Sequence, residues 1–219
     1  MRKISAVIFD MDGLMLDTEK VYFKINRETA SELGYVDFTA DFYKQFIGCG
    51  DDKYREGIFE AFKNDELAER FLKLSNERLE EAFLDKEIDK KPGLIELLEY
   101  LQAEGITAIV ASSTNRYLVD AILERTSIRK YFADVVGGDE VKAAKPAPDI
   151  FLKAAEYADC PKEAMIILED SLNGVRAAYT AGIDVIMIPD ILEPNDEAKE
   201  KAFAIFDDLH EVIDYLESV

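Results

Sequence analysis

The sequence predicts an α/β fold: a doubly wound parallel sheet with an all-α segment inserted after the first strand. Three observations carry this expectation. Short apolar runs recur along the chain, at residues 4–9, 107–111, 135–136, 165–168, 185–188 and 204–206. Helical patterns lie between most of them, and such alternation implies a parallel sheet buried on both faces. From Asp17 to about Asp89, by contrast, the pattern is amphipathic, highly charged and helical, with Phe and Tyr recurring at helical spacing. An insertion there divides the chain into a core, 1–16 with 88–219, and a helical cap, 17–87. The cap would be hinged near 16–18 and 85–91.

The first run ends in two carboxylates. Asp10 and Asp12 are separated by one residue and followed at once by Gly13, and the string continues to Asp17-Thr18. In open α/β sheets ligands bind beyond the carboxyl ends of the strands, so both acids belong at a functional rim. Close carboxylates repel unless a cation or a shared proton relieves them. A hard cation such as Mg²⁺ suits oxygen ligands. Three readings compete. Asp and Gly are ordinary turn residues. A calcium loop would need a closing Glu at its twelfth position, where this chain has Val21, and its middle here is Leu14-Met15-Leu16. The third reading is a nucleophilic aspartate beside an acid/base aspartate.

Later strand ends repeat the pattern. Pro92-Gly93 mark the start of a helix whose stripe is Leu94, Leu97, Leu98 and Leu101. The second run ends in Ser112-Ser113-Thr114-Asn115. Hydroxyls and N–H groups there suit a phosphate, and Asn115 equally suits a helix cap. Lys145-Pro146-Ala147-Pro148-Asp149 opens a helix striped by Ile150, Ala154, Ala155 and Ala158. Lys145 alone reads as a solvated loop cation. The fourth run ends in Glu169-Asp170, which suit either caps or metal ligands.

Composition narrows the function. At 219 residues the chain fits one large domain or a core with an insertion. No run approaches transmembrane length, and Met1-Arg2-Lys3 leads into a strand-like run rather than a signal peptide. The two cysteines, Cys49 and Cys160, give no disulfide framework and point to the cytoplasm. A net charge of −20 argues against nucleic acid as a partner. A divalent cation and one lysine can still reverse the sign inside a pocket. The single histidine, His210, reads as the start of a surface helix, so Ser-His-Asp, Cys-His and His-rich zinc chemistry are disfavoured. Cys49 and Arg55 have the spacing of cysteine-dependent phosphatases. Asp51 and Asp52 lie between them and no apolar strand leads in, so the spacing reads as coincidence.

Polar groups at four strand ends, in the order Asp, Ser, Lys, Glu-Asp, resemble the motifs of the haloacid dehalogenase-like superfamily. The resemblance covers essentially the whole chain. It is closest to the phosphatase and β-phosphoglucomutase-like subgroup, whose helical cap follows the first strand of a Rossmann-like core. Phe9-Asp10-Met11-Asp12-Gly13 with Asp17-Thr18 resembles the first motif, Ser112 the second, Lys145 the third and Glu169-Asp170 the fourth. The stretch Lys145-Pro146-Ala147-Pro148-Asp149-Ile150-Phe151 is also typical. The resemblance implies that Asp10 attacks phosphorus and that Asp12 donates and then accepts a proton. It implies Mg²⁺ on Asp10, the Asp12 carbonyl and Asp170, with Glu169 direct or through water. Lys145 would bridge Asp10 and the phosphoryl group. Ser112, with Ser113, Asn115 and nearby amides, would hold phosphate oxygens.

The implied enzyme is a monomeric, Mg²⁺-dependent phosphatase of small sugar or nucleoside phosphates, without nucleic-acid or membrane partners. The alternatives are a sugar-phosphate mutase and a catalytically idle phosphate-binding module. Mutases of the subgroup carry a histidine where this chain has Tyr22. They also carry an arginine just after the glycine matching Gly48, where this chain reads Cys49-Gly50-Asp51-Asp52-Lys53. Both departures favour hydrolysis. Tyr22, Asn26, Gly48, Lys53 and Asn76 are the cap residues expected to meet substrate, in a cap that opens for entry and closes to exclude water.

Overall fold

The computed structural model describes residues 3–47, 51–85 and 88–219, with the side chains of 51 and 52 left out. Six parallel strands form one sheet: β1 (Ala6–Phe9), β2 (Thr107–Ala111), β3 (Asp134–Val136), β4 (Met165–Glu169), β5 (Val185–Met187) and β6 (Ala204–Ile205). Their order is β3-β2-β1-β4-β5-β6, so β1 is hydrogen-bonded on both sides. All six expected runs form strands. The first is shorter than its apolar run, yet Ser5 still joins the ladder by donating to the Ala164 carbonyl and accepting from Thr107 N–H.

The helices are α1 (Thr18–Glu32), α2 (Ala40–Lys44), α3 (Asp51–Phe62), α4 (Asp65–Asp85), α5 (Leu94–Glu104), α6 (Arg116–Arg125), α7 (Asp149–Glu156), α8 (Leu172–Ala181), α9 (Asp196–Lys201) and α10 (His210–Ser218). The chain divides into two compact units, 1–17 with 88–219 and 18–87. In the first, the sheet residues Ile8, Ile109 and Ile167 share a buried cluster with Phe151 of α7 and Val175 and Ala178 of α8. The central strands β1, β2 and β4 are buried on both faces, which is why each reads as a continuous apolar run.

The second unit is helical and has its own aromatic core. Phe71 lies with its ring centroid 5.6 Å from Phe38 and 5.0 Å from Phe62, and Tyr35 stacks on Phe62 at 4.4 Å. Tyr43, buried beside these rings, donates to Glu19 Oε2 at 2.7 Å. Among the described residues no helix is long and apolar enough to cross a membrane.

Candidate active site

Parallel strands end at one edge of the sheet, and the polar residues gather there. Asp10 follows β1 directly, and its N–H donates to the Leu168 carbonyl of β4. Ser112 follows β2 and donates its N–H to the Val136 carbonyl of β3. Glu169 is the last residue of β4, and Asp170 follows it. Lys145 comes from the loop before α7, yet it reaches this edge. Its Nζ lies 2.5 Å from Asp10 Oδ1 and 2.6 Å from Glu169 Oε1, with the side chain 7% exposed. The Phe151 ring sits beneath the ammonium at 4.8 Å. Lys145 is therefore no solvated loop cation.

Each carboxylate is held by its neighbours. Glu169 Oε1 accepts from the Lys145 ammonium, while Oε2 accepts from the Ser171 N–H at 2.7 Å and hydroxyl at 3.0 Å. Ser171 is also the N-cap of α8, accepting from Gly174 N–H. Asp12 Oδ2 accepts from the hydroxyls of Ser112 at 3.1 Å and Thr114 at 3.0 Å. Ser112 Oγ in turn accepts from Thr114 N–H.

The electrostatics favour a cation. Asp10, Glu169 and Asp170 can place one oxygen each within 4.8 Å of one another. Burial pushes the Asp10 carboxyl up to about 8, Glu169 and Asp12 add to the rise, and Lys145 opposes it. Burial works against the Lys145 charge too, but Asp10 and Glu169 outweigh it and hold the ammonium above the ordinary lysine range. One lysine does not balance three carboxylates, so the donor set fits a divalent cation bound by oxygen.

Two glycines give this cluster its room. Gly13 has φ +79°, and a Cβ there would collide with Asp170 Oδ2. A Cβ on Gly174 would land on the Glu169 carboxylate. Gly174→Ala improves intrinsic helix propensity by about 1 kcal/mol. It is nevertheless expected to lower the melting temperature and to reduce kcat/KM roughly 10- to 100-fold, the scale for disturbed outer partners of a metal site. Steady-state kinetics and a melting curve check both; an unchanged kcat/KM would show that the position of Glu169 is immaterial.

The remaining sequence candidates are placed differently. Ser113 and Asn115 are exposed on the loop after β2. Asn115 occupies the N-cap position of α6 and accepts from Leu118 N–H through its carbonyl, but its side chain makes no capping bond. Pro148 holds the N-cap position of α7 without a side-chain bond, and Asp149 is the first residue of the helix. Tyr22 and Lys53 belong to the helical unit. Tyr22 packs edge-on against Phe83 at 5.1 Å, and Lys53 is exposed on α3. Asn26 is 3% exposed and Asn76 is exposed. Gly48 and Cys49 lie outside the described residues, while Arg55 pairs with Glu69. His210 opens α10 at the surface beside Asp208.

Three residues escaped the sequence reading. Thr114 stood in a motif assigned to phosphate rather than to Asp12. Asp190 follows β5, the same strand-end signal as Glu169-Asp170, and pairs with Lys91. Nothing in the sequence relates Lys91 to Asp190.

A doubly wound sheet with Asp, Ser, Lys and Glu-Asp at its carboxyl edge defines a class of hydrolase. Residues 7–188 match the haloacid dehalogenase-like hydrolase family, and the chain belongs to it. It is 34% identical over 183 residues to a phosphorylated carbohydrates phosphatase of Thermotoga maritima, covering 84% of each chain. It is 35% identical over 197 residues to (DL)-glycerol-3-phosphatase 2 of Arabidopsis thaliana, covering 85% of this chain and 80% of the relative. Among solved structures, CbbY of Rhodobacter sphaeroides, crystallised as a point mutant with xylulose-(1,5)bisphosphate, superposes with a TM-score of 0.77. The match has 28% identity and covers 95% of this chain and 96% of that one.

Proposed function

We propose that this phosphoric monoester hydrolase cleaves small organic phosphomonoesters, sugar or nucleoside monophosphates, through an aspartyl phosphate on Asp10 and with Mg²⁺. The observation that carries the reading is the pairing of two differently held aspartates. Asp10 Oδ1 is held by the ammonium of Lys145 with the other oxygen left for attack. Asp12 is oriented by two hydroxyls as an acid/base. In the first step Asp10 attacks phosphorus while Asp12 gives its proton to the leaving oxygen. In the second, Asp12 accepts a proton from the water that hydrolyses the acyl phosphate, and Asp10 is regenerated. Lys145 spans Asp10 and the phosphoryl oxygens, and Ser112 with the amides of 113–115 holds an oxygen that gains charge. Asp10, the Asp12 carbonyl and Asp170, with Glu169, would hold Mg²⁺, which offsets repulsion between the nucleophile and the phosphate.

The substrate class rests on the named relatives, which act on phosphorylated carbohydrates and glycerol phosphate. A panel of sugar, polyol and nucleoside monophosphates, a phosphoprotein and a nucleic acid, each with Mg²⁺ or EDTA, tests the reading. Release of phosphate from small monoesters only, abolished by EDTA, is expected. Equal turnover in EDTA, or hydrolysis confined to the macromolecules, would overturn it.

A further inference from the structure

Asp190 borders the carboxylate cluster, and the chemistry above does not use it. Its side chain is 12% exposed, and Oδ1 pairs with Lys91 Nζ. Oδ2 is buried and has no hydrogen-bond partner among the described residues. A carboxylate oxygen buried without a partner is costly, so one is retained where an ion or a water meets it. Gly13 shows where this oxygen lies. An atom at the position of a Gly13 Cβ would collide with Asp170 Oδ2 and stand 3.4 Å from Asp190 Oδ2. The two oxygens therefore border one small volume, kept open by the missing side chain. Lys91 is anchored beside it, its N–H donating to the Met15 carbonyl in the loop that carries Gly13.

We propose that Asp190 is an outer positioning residue of the cation site: Oδ2 accepts a hydrogen bond from a water carried by the bound ion. The proposal rests on the reading that Asp10, Glu169 and Asp170 hold a divalent cation. Lys91 occupies the other oxygen and leaves Oδ2 as the one available. Mg²⁺ keeps several of its waters, whereas Ca²⁺ takes more oxygens directly from a protein. An acceptor for metal-bound water therefore favours Mg²⁺ over Ca²⁺, and Asp190 sets that preference.

Calorimetric titration of the whole protein with Mg²⁺ alone and with Ca²⁺ alone tests this. Asp190→Asn keeps the size and removes the charged acceptor. It should weaken Mg²⁺ about tenfold, the lower end of the roughly 10- to 100-fold range for outer-shell partners. Ca²⁺ should weaken less, so the preference narrows. Lys91→Met breaks the same ion pair but keeps the carboxylate, and should leave Mg²⁺ affinity equal or tighter. Melting curves in EDTA show that each variant folds, with Asp190→Ser replacing Asp190→Asn if that variant does not. Equal losses of Mg²⁺ affinity in the Asp190 and Lys91 variants would reduce the pair to a structural brace and overturn the proposal. So would Mg²⁺ binding in Asp190→Asn that matches wild type. Asp170→Asn separates the two levels. If it binds Mg²⁺ normally, the cation site itself is misplaced; if it loses Mg²⁺ while Asp190→Asn does not, only the role of Asp190 falls.

Discussion

Asp10→Asn is expected to lower turnover of any phosphomonoester by roughly 10³-fold or more, the scale seen when a covalent nucleophile is removed. The amide matches the carboxylate in size, so the loss reports chemistry rather than shape. Stability should move the other way. With no cation bound, burial raises the Asp10 carboxyl from 3.8 to about 8, so in that window the metal-free folded protein keeps a proton that the unfolded chain releases. Folded stability from this group therefore falls as pH rises between those two values. Asparagine does not titrate. In EDTA, toward the upper end of that window, Asp10→Asn should melt above the wild type. Single-turnover kinetics and melting curves check the two halves. Near-normal turnover in the variant would remove the aspartyl phosphate from the mechanism.

The second large effect belongs to Asp12. General acid–base groups contribute about 10²- to 10⁴-fold. Asp12→Asn should cost that much on an alkyl phosphate, whose leaving oxygen needs a proton. On an activated aryl phosphate the first step should suffer far less, because the leaving group departs without help. Hydrolysis of the intermediate should then become limiting, and a burst of aryl alcohol should precede the steady state. Thr114→Val, which removes one of the two hydroxyls on Asp12, should show the same leaving-group dependence at smaller size. Equal losses on both substrates in single-turnover measurements would take the acid role away from Asp12.

Much of the fold is legible in the sequence for one physical reason. Strands covered on both faces lack polar alternation, so the central ones stand out between the helices, and the short edge strand β6 shows only as an apolar run. The acids and hydroxyl of the cluster are legible because each ends such a strand. Lys145 is different. Its motif marks it, but only the path of its loop shows the side chain pressed between Asp10 and Glu169. Thr114, Lys91 and Asp190 stayed hidden because their meaning lies in partners about a hundred residues away in the chain. The packing of Tyr22 was equally hidden: no spacing in the sequence relates its ring to Phe83, against which it lies edge-on within the helical unit.

The backbone at the two ends of the helical segment carries one more consequence. Asp17 N–H donates to the Asp89 carbonyl, and Lys91 N–H donates to the Met15 carbonyl. To the sheet, everything between is a single loop whose ends already touch. The entropy of closing such a loop grows only logarithmically, about 0.6 kcal/mol for each doubling of its length. The folding of the sheet is thus nearly indifferent to how long that segment is or what it contains. Its composition is free to change while the carboxylates beyond β1 keep their places.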